Sequence, residues 1–249
     1  MTLPLVWLGV CIFIAWTIEA MSGFGSIVIA LSLGALLLPI EFMLPVLVTL
    51  NVLTSSWLVW RHRARIDGRL LLRTVLPGML MGTVLGVLLQ GLVPGAALKA
   101  GFAVFVLGFA LRELWVLSRG GVRSSHPPLQ TQMLVAAAGV THGLFASGGP
   151  LLVHALAGRQ LDKATFRATM IAVWLTLNLV LCLTFTAQGK ILPNLGLIAA
   201  CVPVIVAAVW LGSRLHHHLD EEKFRVMVYW LLAAVGVALL LSQLRFLLG

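Results

Sequence analysis

Two short runs of small residues have the composition of a broken helix that binds an anion. Ser22-Gly23-Phe24-Gly25-Ser26 interrupts one apolar segment, and Ala146-Ser147-Gly148-Gly149-Pro150 interrupts another. Where a helix restarts after such a break, its first N–H groups lack intrahelical acceptors and the positive end of the helix dipole lies behind them. The donors here are the N–H groups of Gly23 to Ser26 and of Ser147 to Leu151, with the hydroxyls of Ser22, Ser26 and Ser147 beside them. This is an anion-binding arrangement. Glycines at such positions also serve close helix packing. Two matching breaks, rather than one, favour a substrate site that includes Gly148 and Gly149.

Glu19 lies one turn before the first break, and no charge separates it from the N-terminus. A carboxylate in an apolar span carries a desolvation penalty, which makes Glu19 a candidate proton carrier or gate. His142 and Gly143 hold the corresponding place before the second break, and His154 follows about one turn beyond it. Both histidines are candidates for coupling or gating, and hydrogen-bonded packing is the alternative. Asn51, Thr54, Thr176 and Asn178 are polar residues inside the next span of each half. They either line the same cavity as the breaks or make interhelical hydrogen bonds.

A second chemistry, intramembrane serine hydrolysis, is suggested by Ser147-Gly148 near histidines. The nucleophile motif Gly-x-Ser-Gly would need glycine where Phe145 stands, and no histidine lies inside a later span to act as base. No catalytic residue is therefore expected. His216, His217 and His218 stand at a span end before Asp220, a helix N-cap by sequence, and are not expected to form a metal site.

The elements that must position these residues are transmembrane helices. Of the 249 residues, 60% are hydrophobic and 10% charged, against roughly 25% charged in ordinary soluble domains. Stretches without Asp, Glu, Lys or Arg cover 42–60, 74–98, 130–158, 168–189, 191–213 and 226–244. A hydrocarbon core of about 30 Å takes about 20 helical residues, so most of these stretches can span it. A further span near 98–117 has Lys99 at one end and Arg112 and Glu113 at the other, where long side chains can reach the headgroups. About eight spans are expected, the first of them a retained helix rather than a signal peptide. The net charge of +9 sits in short loops, which membrane topology explains without nucleic acid. Cys11, Cys182 and Cys201 all lie inside apolar stretches and imply no disulfide framework.

The chain reads as two tandem copies of one unit. With a shift of 124, Ser22-Gly23-Phe24-Gly25 falls on Ala146-Ser147-Gly148-Gly149, Gly34 on Gly158, Lys99 on Lys223 and Phe105 on Tyr229. With a shift of 126, Pro77 falls on Pro203 and Gly86 on Gly212. Residues 1–120 form the first repeat, 121–130 a linker and 131–249 the second repeat, and the first helix of each is interrupted at mid-membrane depth. Such a break is tolerated in lipid only where protein or a water-filled cavity surrounds it. If each interrupted segment crosses once, the loops 61–73, 112–123 and 187–194 share a side with both termini. That side holds ten of the 17 Lys and Arg, which favours cytoplasmic termini. Five acids, Glu41, Asp162, Asp220, Glu221 and Glu222, lie on the other side. The repeats become inverted if the interrupted segments add a crossing. Trp57, Trp60, Trp174, Trp210 and Trp230 are candidate interface anchors.

The sequence resembles the TauE/SafE family of sulfite and sulfonate exporters, also called the 4-toluene sulfonate uptake permease family, over nearly its whole length. The resemblance is carried by Ser22 to Ser26, by Arg61-His62-Arg63-Ala64-Arg65-Ile66-Asp67 leading to Pro77-Gly78 and Gly82-x-x-x-Gly86, and by Gly143 to Pro150. Gln188-Gly189-Lys190-Ile191 and the run from Pro203 through Leu211-Gly212 to Asp220-Glu221-Glu222-Lys223 complete it. Ser147 departs from the pattern, standing where such repeats often carry glycine. The resemblance implies a secondary transporter, not an enzyme, for a small sulfur-containing anion such as sulfite or the C2 sulfonate sulfoacetate. It also implies alternating access between the two halves and a place in the bacterial inner membrane. No nucleotide-binding motif and no cofactor signature is present, so an ion gradient or the substrate's own gradient would supply the energy. The lipid bilayer and the anion are the expected partners, and a homodimer is compatible with the sequence.

Overall fold

A computed structural model describes residues 3–22, 25–120, 126–156, 162–215 and 221–248. The helices, in chain order, are α1 (Leu3–Ser22), α2 (Ser26–Gly34), α3 (Ile40–His62), α4 (Leu76–Leu92), α5 (Gly95–Ser118), α6 (Pro128–Phe145), α7 (Gly149–Ala155), α8 (Lys163–Ala187), α9 (Leu195–Leu215) and α10 (Glu221–Leu248). A π-helical turn, Leu70–Val75, leads into α4, and no strand occurs among the described residues. Seven helices among these residues are long and apolar enough to cross a membrane. Exposed Met81, Leu92, Leu183 and Val206 show that their outer faces suit lipid rather than water. The chain is an all-helical polytopic membrane protein.

The difference from eight spans lies in α6. It carries Gln130, Thr131, Gln132, Thr141 and His142 within 18 residues, so it lacks the uniform apolar surface of the other long helices and is not among the seven. Its first turn also takes in Pro128 to Gln130, the end of the expected linker. Proline fits there because the first turn needs no N–H from it.

The described residues form two compact units, each drawing on both halves of the sequence. One comprises Met1–Leu44, Val93–Val122 and Ala199–Gly249, and the other Pro45–Leu92 and Arg123–Ile198. In the first unit α5 lies along α10, with the Phe109 and Tyr229 rings edge to face at 5.7 Å. Trp7 donates its indole N–H to Leu33 O at 3.1 Å, tying α1 to α2, and Thr17 reaches Ala208 O of α9 at 3.4 Å. Glu113 does not reach the surface as expected. Its side chain is 4% exposed and ion-paired with Arg112 on the same helix.

In the second unit α4 and α6 cross at backbone contact. A Cβ on Gly82 would meet Ala136 O and Gly139 Cα, one on Gly86 would meet Val140 O and Gly143 Cα, and Gly139 and Gly143 meet α4 in return. Only residues without side chains allow this approach. Beside it lies a core of Leu70, Val75, Met79, Val135, Ala138, Leu152, Val173 and Leu177.

Asp67, in the connection between α3 and the π-helical turn, has a structural role. Its Oδ1 accepts from the Arg69 N–H at 3.0 Å and the Leu70 N–H at 2.9 Å, and its own N–H donates to Thr169 Oγ1 of α8 at 2.9 Å. Asp67→Ala should therefore cost about 1 kcal/mol, the usual loss for a removed cap. It should lower the melting temperature in detergent, and an unchanged melt would mean that the loop is held otherwise. Asp162 caps α8 in the same way, through the Ala164 and Thr165 amides. Hydrogen bonds from Thr165, side chain and amide, hold its carboxyl below the usual carboxylate range. The cap is therefore kept at neutral pH and lost only as pH falls through that lowered value.

Candidate functional site

Both expected interruptions are present, one in each compact unit. In the first unit α1 ends at Ser22, and Glu19 is half-buried on its last turn. Gly23 and Phe24 lie outside the described residues, as does the side chain of Ser22. Gly25 has φ 99°, a left-handed conformation that glycine takes without strain. Helix α2 restarts at Ser26 with no side-chain cap, and its first intrahelical bond runs from the Ile29 N–H to Gly25 O at 3.0 Å. The N–H groups of Ser26 to Val28 precede that bond, and all nine residues of α2 are buried.

In the second unit α6 ends on Ala146, whose φ of 50° is the one positive value among the described non-glycine residues. Its N–H closes the helix onto His142 O at 2.6 Å. A side chain in this region costs of order 1 kcal/mol, so the turn is held by its surroundings. A Cβ on Gly148 would strike Ala138 O and come within 3.0 Å of both His142 Cβ and Met79 Cε. Helix α7 then starts at Gly149 without a side-chain cap. Pro150 supplies no N–H, so its first turn offers those of Gly149 and Leu151.

Around this break several of the expected site residues come together. His142, 1% exposed, stacks on the Trp174 indole with ring centroids 5.9 Å apart and planes at 18°. A Cβ on Gly149 would lie 3.5 Å from the same indole. One turn along α8 from Trp174, Asn178 donates its Nδ2 hydrogen to Asn51 Oδ1 of α3 at 2.7 Å, and Ser55 Oγ donates to that oxygen at 3.0 Å. Both nitrogens of His142, and Oδ1 of Asn178, are buried with no hydrogen-bond partner. The ring lies against the Asn178 carboxamide, yet the two do not reach hydrogen-bond geometry. Buried polar atoms without partners are rare and costly in native folds.

Other expected residues stand apart from this group. Thr54 bonds back to Leu50 O and Asn51 O of its own helix, and Thr176 to Ala172 O. His154 packs edge to face on His126 at 4.5 Å. Glu19, Ser22, Gly25 and Ser26 belong to the first unit. Ser147 Oγ donates to Phe145 O at 2.9 Å, and neither His142 nitrogen pairs with it, so the break holds no serine–histidine pair. His216, His217, His218 and Asp220 lie outside the described residues, which contain no cluster of three or more metal-ligating side chains.

Sequence reasoning missed Ser55 and His126, and took Trp174 for an interface anchor. Trp174 is partly buried against His142, whereas Trp57, Trp60, Trp210 and Trp230 are more than half exposed. Trp57 and Trp210 also lie under Arg61 and Arg214 at span ends, where interface anchors belong. The usable signal was spacing. Trp174 and Asn178, like Asn51 and Ser55, are four residues apart and share a helix face.

No curated protein and no solved structure matches the chain significantly. The profile of the sulfite exporter TauE/SafE family matches residues 8–239. With nearly its whole length covered and its helical architecture that of a polytopic membrane protein, the chain belongs to the TauE/SafE sulfite exporter family.

Proposed function

We propose that the chain is a secondary transporter that exports a small sulfur-containing anion, sulfite or a C2 sulfonate such as sulfoacetate. It would act across the bacterial cytoplasmic membrane. The observation that carries this reading is the buried polar group His142, Asn178 and Asn51 beside the α6–α7 break, in a chain whose family exports sulfite. Backbone N–H groups at the α7 start supply donors for the anion, and the His142 and Asn178 side chains supply the polar atoms that the fold leaves unsatisfied. Glu19, before the first break, is the proton carrier in this reading.

A thermal-shift screen of the purified protein against sulfite, sulfate, thiosulfate, sulfoacetate and neutral controls tests the substrate class. At about a hundredfold excess over Kd a bound anion should add about 2.7 kcal/mol to stability. Indifference to every anion would overturn the reading. In proteoliposomes, Glu19→Gln should abolish the pH dependence of sulfite flux, and an unchanged dependence would remove Glu19 from the coupling role.

A further inference from the structure

Each compact unit gathers its basic residues at one end, and that asymmetry governs how the chain sits in a membrane. In the second unit α8 runs against α3, since Asn178 meets Asn51 and Cys182 meets Thr49. Helix α4 runs with α6, Gly78 lying against Val135, Gly82 against Gly139 and Gly86 against Gly143. The break turns α7 back along α6, so that Gly148 lies against Ala138 and His154 reaches His126, just before α6 begins. The Asp67 N–H, bonded to Thr169, holds the connection from α3 to α4 at the start of α8. One end of this unit therefore holds the five arginines of 61–73, with Lys163 and Arg167. Among the described Lys and Arg of the unit, Lys190 alone lies at the other end.

In the first unit α2 also doubles back, its Leu33 O reaching the Trp7 indole near the start of α1. A Cβ on Gly34 would meet Met43 at the start of α3, and one on Gly95, at the start of α5, would meet Glu41. Helix α9 runs with α1, Ala208 meeting Thr17 and Gly212 lying against Ala20. Helix α10 runs against α5, Tyr229 meeting Phe109 and Gly236 meeting Leu107. The starts of α1, α3 and α5 thus share one end with the close of α10, and that end holds Lys99 and Arg245. The other end takes the last turns of α5 and α9 and the first of α10, with Arg112, Arg119, Arg214, Lys223 and Arg225. Four Arg–Trp contacts mark the two basic ends. Arg61 lies over Trp57 and Arg63 over Trp60 in the second unit, and Arg119 over Trp115 and Arg214 over Trp210 in the first, at 4.2 to 5.8 Å. All four indoles are more than half exposed, as befits rings at headgroup depth.

Lys and Arg in short loops stay on the cytoplasmic side of a membrane, and the anionic lipids of that leaflet attract them. The bias has a clear sense in each unit taken alone. We propose that the basic end of each unit faces the cytoplasm, with its Arg–Trp pairs set among the anionic headgroups of that leaflet, and that both termini lie on the opposite side. Helix α1 then enters from outside and α6 from the cytoplasm, which makes the two repeats inverted. Cytoplasmic termini were expected on the condition that each interrupted segment crosses once. Both segments double back instead, and 61–73 and 187–194 lie at opposite ends of the second unit. This orientation does not depend on the identity of the cargo.

Cysteine labelling of the full-length protein in spheroplasts tests the orientation. Ser118→Cys places a thiol at an exposed position of a basic end, and Gln188→Cys places one at the other end of the second unit. A membrane-impermeant maleimide should label Gln188→Cys in intact spheroplasts and Ser118→Cys only after permeabilisation. The unaltered protein, whose three cysteines lie in apolar spans, is the blank. Alkaline phosphatase fused after Gly249 should be active, because that enzyme folds only outside the cytoplasm. Labelling of Ser118→Cys before permeabilisation would overturn the proposal, and so would an inactive phosphatase on a fusion that reaches the membrane. Neither result would touch the transport reading. In nanodiscs the unaltered protein should melt higher in phosphatidylglycerol than in phosphatidylcholine, with the difference shrinking at high salt. Equal melts in the two lipids would overturn the headgroup contact.

Discussion

Gly139→Leu is expected to abolish the well-folded protein, and the reason lies in the reciprocity of the α4–α6 crossing. Gly139 and Gly143 on α6 face Gly82 and Gly86 on α4 so closely that a Cβ on any of them meets backbone of the other helix. At Gly139 the obstacles are Met79 O, Gly82 Cα and Met79 Cα, the two Cα atoms at 2.9 Å. A flexible side chain could move aside, but a helix backbone cannot yield without separating along its length. Overpacking a core usually costs about 1–3 kcal/mol. Here the cost should exceed about 3 kcal/mol, a large share of the roughly 5–15 kcal/mol that holds a typical domain together. The effect would also reach the site, since α6 carries His142 and the residues that end in the Ala146 turn. Fluorescence-detected size exclusion and thermal melting should show loss of the monodisperse peak or a melt lower by many degrees. Gly91→Leu is the control, because nothing lies within 4 Å of a Cβ there, and it should change stability by no more than about 0.5 kcal/mol. Equal melts for the two variants would mean that the crossing does not hold the unit together.

The Gly82-x-x-x-Gly86 spacing was readable in the sequence, but its partner was not. Small residues every four positions announce a close helix contact without naming the helix that makes it. The long spans and both interruptions were legible for a similar reason. Span length follows from bilayer thickness, and a Gly/Ser run in an apolar helix has few other uses. The two compact units escaped sequence reasoning. Each combines elements from both halves, with α4 packing on α6 and α9 meeting α1 through Gly212 and Thr17. Such pairings depend on which surfaces fit, and helices of nearly uniform apolarity carry little periodicity to reveal them. At the site, His142 and Asn178 stood out as polar residues in apolar spans. Trp174 did not, because a tryptophan in a membrane span suits an interface belt as readily as a packed ring.

The Asn51–Asn178 hydrogen bond allows a structural role to be separated from a role in transport. If the pair only joins α3 to α8, removing Asn51 leaves Asn178 Nδ2 buried without its acceptor, at a cost of about 1–3 kcal/mol, whereas removing Asn178 costs less because Asn51 Oδ1 keeps Ser55 as a donor. Removing both should then be close to neutral, because apolar side chains of similar size leave no orphaned group. Asn51→Leu and Asn178→Leu should thus each lower the melting temperature, while the double variant should melt near the unaltered protein. Ser55, which also donates to Asn51 Oδ1, can turn to a carbonyl of its own helix in either Asn51 background. Sulfite flux in proteoliposomes should behave differently. Asn178 Oδ1 faces away from Asn51 and lies beside His142 with no partner, so its loss cannot be offset by a second apolar substitution. Flux should fall by about 10²-fold or more in Asn178→Leu, and should stay low in the double variant although stability has returned. Recovery of flux together with stability would assign the asparagines to helix pairing alone. Stability restored without flux would place Asn178 in the substrate path, because only a contact to the transported anion is lost in a protein that folds as well as before.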